Sequence, residues 1–224
     1  MRMKLPDMKT EYINKESIDN VLDDIITELR HLPKRMPFDL SASKTALLVL
    51  DMQKYFLQPT SHAYIPSSGA IIPRINDLIR VFREINRPII FTRHLNDEQN
   101  AGLMSVWWKD LIRSDNSLSE IDDDLAHEGM TLINKSQYDA FYETDLEKIL
   151  HEQGIEQLVV CGVMTHLCCE TTIRSAFVRG FQCFFPIDGT AAYNLDQHRS
   201  TFINLSHGFT IPTNSKTIIR ELRK

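Results

Sequence analysis

The chain has 224 residues, enough for one substantial α/β domain, with 42% hydrophobic and 25% charged residues, the balance of an ordinary globular protein. A net charge of -5 and a pI near 5.9 argue against nucleic acid or an anionic membrane as the main partner. No segment reaches the roughly 20 apolar residues of a membrane span, and no apolar run follows the basic N-terminal residues as it would in a secretory signal. The four cysteines, 161, 168, 169 and 183, show neither CxxC pairs nor a framework spacing, which suggests reduced thiols and a cytoplasmic protein.

In chain order, apolar positions 18, 21, 22, 25, 26, 29 and 32 predict a helix over Ser17–Leu32, capped by Ser17 and stopped by Pro33 and Pro37. Residues 1–40 are read as an N-terminal helical extension and 41–224 as the main domain. The extension could cover that domain or reach a neighbouring subunit. Ala46–Leu50 is a buried strand ending in Asp51, a carboxylate that is expensive to bury without a partner. Pro59–Ser68 reads as a loop and Ile71–Ile85 as a helix. Ile89–Thr92 is a second strand, ending in Arg93 and His94.

From Leu95 to Gly129 the pattern is irregular, with one short helix over Ser105–Ile112 carrying Trp107 and Trp108. Glu120–Asp124 holds four carboxylates and reads as a solvated acidic face, because no histidine sits at ligand spacing. Met130–Asn134 is a third strand followed directly by Lys135. Thr144–Gln153 is helical and capped by Gly154.

Leu158–Cys161 is a fourth strand that Gly162 ends, and a helix runs from Thr165 or His166 to Gly180. Cys168 and Cys169 then fall in the first helical turn, where unpaired N–H groups and the helix dipole favour thiolate. Cys169 shares a face with Ile173, Ala176 and Phe177 and reads as core. Cys168, on the face of Thr171, Thr172 and Ser175, is the candidate nucleophile. Phe181–Ile187 is a fifth strand before Asp188, Asn194–His207 a helix, Phe209–Ile211 the last strand and Ser215–Leu222 the last helix.

Alternating strands and helices predict a parallel sheet covered on both faces, with its ligand site beyond the carboxyl ends of the strands. Asp51, Lys135 and Cys168 each follow a strand, so three separate strands deliver complementary groups to one rim. Lys135 would supply a cation for the thiolate, and Asp51 would move the proton. An oxyanion pocket is expected in the turn between Gly162 and Cys168. Phe56, Arg93, His94, Trp107 and His166 are the candidate substrate-binding residues. Arg93 could instead make a structural salt bridge, the aromatics could be core, and His166 could be supporting or exposed. No GxGxxG follows the first strand, which disfavours a dinucleotide enzyme.

Four motifs, LLVLDMQKYF at 47–56, TRH at 92–94, INKSQYDAFYETDL at 133–146 and GVMTHLCCETTIRSAFVRGF at 162–181, resemble the isochorismatase-like cysteine hydrolases. The resemblance implies a doubly wound six-stranded parallel sheet in order 3-2-1-4-5-6 and a catalytic triad of Asp51, Lys135 and Cys168. It further implies a cis Val163–Met164 peptide and an oxyanion hole of the Met164 and Cys168 backbone N–H groups. Subunits would associate as a dimer or tetramer.

TRHLNDEQNAG lacks the DxH…H metal pattern of family members that hydrolyse nicotinamide, so no metal and no cofactor is expected. Cys168 favours an amide, carbamoyl or ureido substrate, small and linear, over the vinyl ether of isochorismate. Lys54-Tyr55 replaces the family's Asn-Asp and alters the rim. The ether hydrolysis, with Asp51 as acid, and a silent binding module are the alternatives. Specificity is expected from loops 57–68 and 95–129.

Overall fold

A computed structural model describes residues 8–29, 38–108 and 110–224. Six strands run through its centre: β1 Thr45–Leu50, β2 Ile89–His94, β3 Thr131–Lys135, β4 Gln157–Val163, β5 Gln182–Pro186 and, after the two-residue β6 Thr190–Ala191, β7 Thr210–Thr213. All pairings are parallel, in the order β3-β2-β1-β4-β5-β7, and β6 pairs with the end of β4. The expected order therefore holds, with one short strand that the sequence pattern did not reveal. Two residues are too few for a period-2 pattern to show.

β1 and β4 are buried at every position, as continuous apolar runs require when helices cover a parallel sheet. The helices are α1 Ile18–Leu29, α2 Lys54–Leu57, α3 Ser68–Glu84, α4 Met104–Trp107, α5 Leu146–Glu152, α6 Glu170–Val178, α7 Leu195–Gly208 and α8 Ser215–Leu222. From β1 the chain steps through α3 to β2 on one side, and from β4 through α6 to β5 on the other. With right-handed crossovers, these opposite steps place α3 and α6 on opposite faces. The direction reverses between β1 and β4, and a crevice opens there beyond the strand ends.

The N-terminal segment covers the domain. Ile13, Ile18, Leu22, Ile25 and Leu29 join the core, and α1 packs near α7 and β7. Ser17 stands directly before α1, where its carbonyl accepts from Val21 N at 3.0 Å. Asn14 closes the turn ahead of it: Asn14 Oδ1 accepts from Ser17 N at 2.9 Å while Ser17 Oγ accepts from Asn14 N at 3.0 Å, a reciprocal box. The predicted end at Leu32, and Pro33 and Pro37, lie outside the described residues. The Ser105–Ile112 helix contracts to four residues, Met104–Trp107.

Gly162 does not end the fourth strand. It pairs with Leu50 inside the β1–β4 ladder, with φ +108°. A Cβ there would lie 2.1 Å from the Leu50 carbonyl oxygen, so only glycine lets the two backbones approach. Gly162→Ala is expected to lower stability by about 3 kcal/mol or more, through backbone clash and strain together. Urea denaturation checks this, and a loss under about 1 kcal/mol would mean that the strands separate freely at this point.

Candidate active site

The rim is built from the residue that follows β1, the ends of β2 and β3, and the turn after β4. Asp51 takes φ +50°, a left-handed conformation that Asp tolerates better than most side chains. This turns its carboxylate out of the ladder. Thr92 on β2 holds it there: Thr92 Oγ1 donates to Oδ1 at 2.7 Å and accepts from Asp51 N at 3.2 Å. Gln53, fully buried, ties the β1 end to β2 by donating to the His94 carbonyl at 3.0 Å and accepting from His94 N at 2.9 Å.

Lys135 ends β3, and its Nζ lies 2.8 Å from Asp51 Oδ2, both side chains being 0% exposed. Nζ also donates to the Gln137 carbonyl at 2.8 Å and lies 3.4 Å from both Cys168 Sγ and His94 Nδ1. His94 Nε2 is 2.7 Å from Asn96 Oδ1, which can only accept, so the ring carries its proton on Nε2 and turns the Nδ1 lone pair to the ammonium. Among the described residues this is the one set of three groups close enough to share a metal: ligand atoms of Asp51, His94 and Cys168 lie within 4.8 Å of one another. A metal does not fit. The Lys135 ammonium already holds the position against all three that a cation would take.

Cys168 does not sit in an ordinary first helical turn. Residues Thr165–Cys169 form a single wide turn in which Cys169 N donates to Met164 O at 3.2 Å, five residues back, before α6 begins. The Val163–Met164 peptide is cis. The turn aims the two adjacent sulfurs differently. Cys168 faces Asp51 and Lys135, whereas Cys169 is buried with Thr190 Oγ1 at 3.6 Å. All four cysteines are free and buried.

Electrostatics revise the expected thiolate. Burial pushes the Cys168 thiol well above its ordinary pKa; Lys135 opposes this, but the adjacent Asp51 carboxylate adds to it. The ion pair is neutral as a unit, so it offers little net help to a third charge. Burial would raise Asp51 too, yet Lys135 and then His94 hold it below the usual carboxylate range. Lys135, penalised by burial, is raised by Asp51 and Cys168. The resting site is thus carboxylate, ammonium and neutral thiol. Burial together with Lys135 lowers His94 to about 4, so it is neutral near pH 7.

Cys168 opens into a cavity with about 450 Å³ of empty space, the open solvent at its mouth included. Its walls include Tyr55, Phe56, Trp108, Tyr138, His94 and Met164. Of the predicted substrate-binding residues, Phe56 and His94 line this cavity. Trp107 does not: it is 82% exposed, and its neighbour Trp108 points inward and donates from Nε1 to Tyr138 Oη at 3.0 Å. Arg93 makes the structural alternative, pairing with Glu120 at 2.8 Å and Asn134 at 3.1 Å, because alternation along β2 sends it away from His94. His166 lies outside the wall, half-buried, tilted against Tyr193 at 6.2 Å.

Sequence reading missed Tyr138, Asn96 and Thr92. Tyr138 and Thr92 stood inside the quoted motifs, and β-strand adjacency of β1 and β2 was the signal that could have found Thr92. Loop 57–68 contributes no wall residue among those described; loop 95–129 contributes Asn96, Trp108 and residues 110–112. In the acidic run, Glu120 pairs with Arg93 and Asp123 with Lys54 at 2.8 Å, ordinary surface ion pairs.

The profile of the Isochorismatase domain family matches residues 45–217. The chain belongs to the isochorismatase family. Nicotinamidase 3 of Arabidopsis thaliana is 33% identical over 189 residues, 82% of this chain and 91% of that protein. The structure of a cysteine hydrolase from Pseudomonas syringae superposes with a TM-score of 0.82 at 26% identity, covering 86% of this chain and 98% of that one. A pyrazinamidase from Pyrococcus horikoshii, solved in complex with zinc, gives a TM-score of 0.68 at 26% identity, covering 76% and 99%. The isochorismatase-family fold and hydrolase class are thereby shown for this chain. Among the described residues, no helix is long and apolar enough to cross a membrane.

The ion pair makes a stability prediction. Lys135→Met leaves Asp51 as an uncompensated buried anion and is expected to destabilise by about 3–5 kcal/mol at pH 7. With the cation gone, burial raises the Asp51 pKa above its unfolded value, so the folded mutant takes up a proton as pH falls. In the wild type the depressed carboxyl stabilises the fold above the unfolded pKa and loses that contribution as pH falls through the folded one. The gap between wild type and mutant therefore shrinks from pH 7 toward pH 4. Denaturation midpoints across that range check it, and a gap that widens would contradict the assignment of charges.

Proposed function

We propose that the protein is a cysteine amidohydrolase that cleaves the C–N bond of a small amide through a thioester, with Asp51, Lys135 and Cys168 as the catalytic groups. The observation that carries this reading is the meeting of Cys168 Sγ with the buried Lys135–Asp51 pair at the floor of the aromatic cavity. The amide-cleaving names of the Arabidopsis and Pyrococcus relatives support it.

Sγ attacks the amide carbon while Asp51 takes the thiol proton. Because the thiol is held above and the carboxyl below their usual ranges, a free thiolate does not accumulate, and proton transfer accompanies C–S bond formation. The carbonyl π electrons pass to oxygen, which the Met164 and Cys168 backbone N–H groups receive; one such donor is worth about 3–4 kcal/mol. Asp51 returns its proton to the departing nitrogen as the C–N bond breaks, leaving the thioester and ammonia or an amine. Water then attacks the thioester, losing a proton to Asp51, and the C–S bond breaks with the thiol reformed. Lys135 keeps Asp51 ionised between these steps.

Flat walls such as Tyr55, Trp108 and Tyr138 favour a planar acyl group, so aromatic carboxamides join the linear, carbamoyl and ureido compounds as candidate substrates. An ammonia-release screen over these four classes tests the reading. Turnover is expected for one class, with Cys168→Ala inactive and Asp51→Asn reduced about 10²–10⁴-fold. Mass spectrometry of a quenched reaction should find the acyl group on Cys168. Vinyl-ether hydrolysis with Asp51 as acid predicts instead that Cys168→Ala remains active.

A further inference from the structure

A buried polar chain that the reaction does not use runs from the N-terminal segment to the turn carrying Cys168. Residues 8–13 lie outside the matched family region 45–217, yet they are fastened to its edge. Thr10 N donates to Tyr193 O at 2.8 Å, Asn194 Nδ2 donates to Met8 O at 3.1 Å, and Tyr12 N donates to Ser67 Oγ at 3.0 Å. The Tyr12 hydroxyl accepts from Ala192 N at 3.1 Å and lies 3.0 Å from His198 Nδ1. The same nitrogen is 3.2 Å from Thr165 Oγ1. Thr165 Oγ1 is 3.0 Å from Thr190 Oγ1, which donates to Gly162 O at 2.7 Å.

His198 is 0% exposed, and burial lowers its pKa to about 3, so it is a neutral connector across the working pH range. Both contacts fall on one nitrogen of the buried ring, Nδ1, which makes the imidazole the shared point of the chain. Its partners join three separate pieces of chain: the N-terminal segment through Tyr12, α7 through His198 itself, and the wide turn through Thr165. Thr165 is the first residue of that turn, directly after Met164 and three before Cys168. The chain grips the turn on the Cys169 side, opposite the Asp51–Lys135 contact with Cys168. A turn with i→i+5 spacing lacks the regular bonds that hold an α-helical start, so its side-chain anchors decide where Sγ and the neighbouring N–H groups point.

We infer that Tyr12 is a positioning residue for the reaction at Cys168, acting through His198 and Thr165. The inference rests on the reading of Cys168 as the reacting group, and it makes the N-terminal segment a working part of the site rather than a cover alone.

The test compares Tyr12→Phe, Thr165→Val, Thr165→Ser and the Tyr12→Phe/Thr165→Val pair in the full chain. Breaking the route at His198 Nδ1 predicts a kcat about three- to tenfold lower in Tyr12→Phe and in Thr165→Val, with KM within about twofold. Thr165→Ser, which keeps the hydroxyl, should retain most of the activity. The double variant should lose no more than the worse single, as for residues acting along one route. Iodoacetamide labelling of Cys168, followed by mass spectrometry, needs no substrate and should slow in parallel. Unchanged kcat and labelling alongside a lower Tm would overturn the inference, as would losses that multiply in the double variant. If Tyr12→Phe does not fold, Tyr12→Met, which also removes the hydroxyl, takes its place in the same comparison. If wild type releases ammonia from no amide, the proposed reaction fails while the labelling rates still decide on Tyr12.

Discussion

One buried ion pair sets the terms for everything else in this molecule. Asp51 and Lys135 are wholly removed from water, and the desolvation of two charges roughly cancels their attraction even at 2.8 Å. Stability alone would not favour such a pair over two apolar side chains. Its worth is conditional: the pair is tolerable only if β1, β2 and β3 end at one level, so that the ammonium finds Asp51, the Gln137 carbonyl and His94 together. Any slip in register would leave a charge without its partner. The pair therefore makes the strand ends hold a single alignment, and the sheet makes the pair affordable.

The fourth strand has to come close enough to present its turn to that pair. Gly162 supplies this by bringing β4 against Leu50, one residue before Asp51. The wide turn Thr165–Cys169 begins three residues after Gly162 and leaves Cys168 beside the carboxylate and ammonium. The close approach, the abrupt turn and the orientation of the sulfur are successive parts of one constraint.

How far the sequence displayed this depends on whether a feature is written in a period or in a contact. Apolar runs such as Ala46–Leu50 and the helical stripe of Ser215–Leu222 depend on burial along one element, and they read correctly. The convergence of Asp51, Lys135 and Cys168 could be read because a polar group ending an apolar strand has a fixed destination in a parallel sheet. Gly162 reads as a strand end because a glycine that ends a strand and one that admits a neighbouring backbone look alike in one dimension. Trp107 ends a four-residue helix and Trp108 follows it in extended backbone, and no period is long enough there to say which faces inward. Arg93 and His94 were grouped as neighbours, whereas pleating sends adjacent side chains to opposite faces of β2.

The neutral resting thiol follows from the same burial. A thiol beside a free cation would ionise and become exposed to oxidation as well as to attack on substrate. Here Lys135 is already neutralised by Asp51, so the sulfur gains an ammonium neighbour at 3.4 Å without gaining a net positive field. In the proposed reaction, its proton leaves as the developing C–S bond makes the sulfur a far weaker base. Cys169, next in the chain, shares the burial, but Asp51 and Lys135 act on it less than its hydrogen bond from Thr190 on the other side of the turn. Two sulfurs one residue apart are thus given different surroundings by the direction of the turn rather than by their own chemistry. That division holds only while the turn keeps its shape, which is why its anchors at Thr165 and Thr190 belong to the same physical system as the acid and amine opposite.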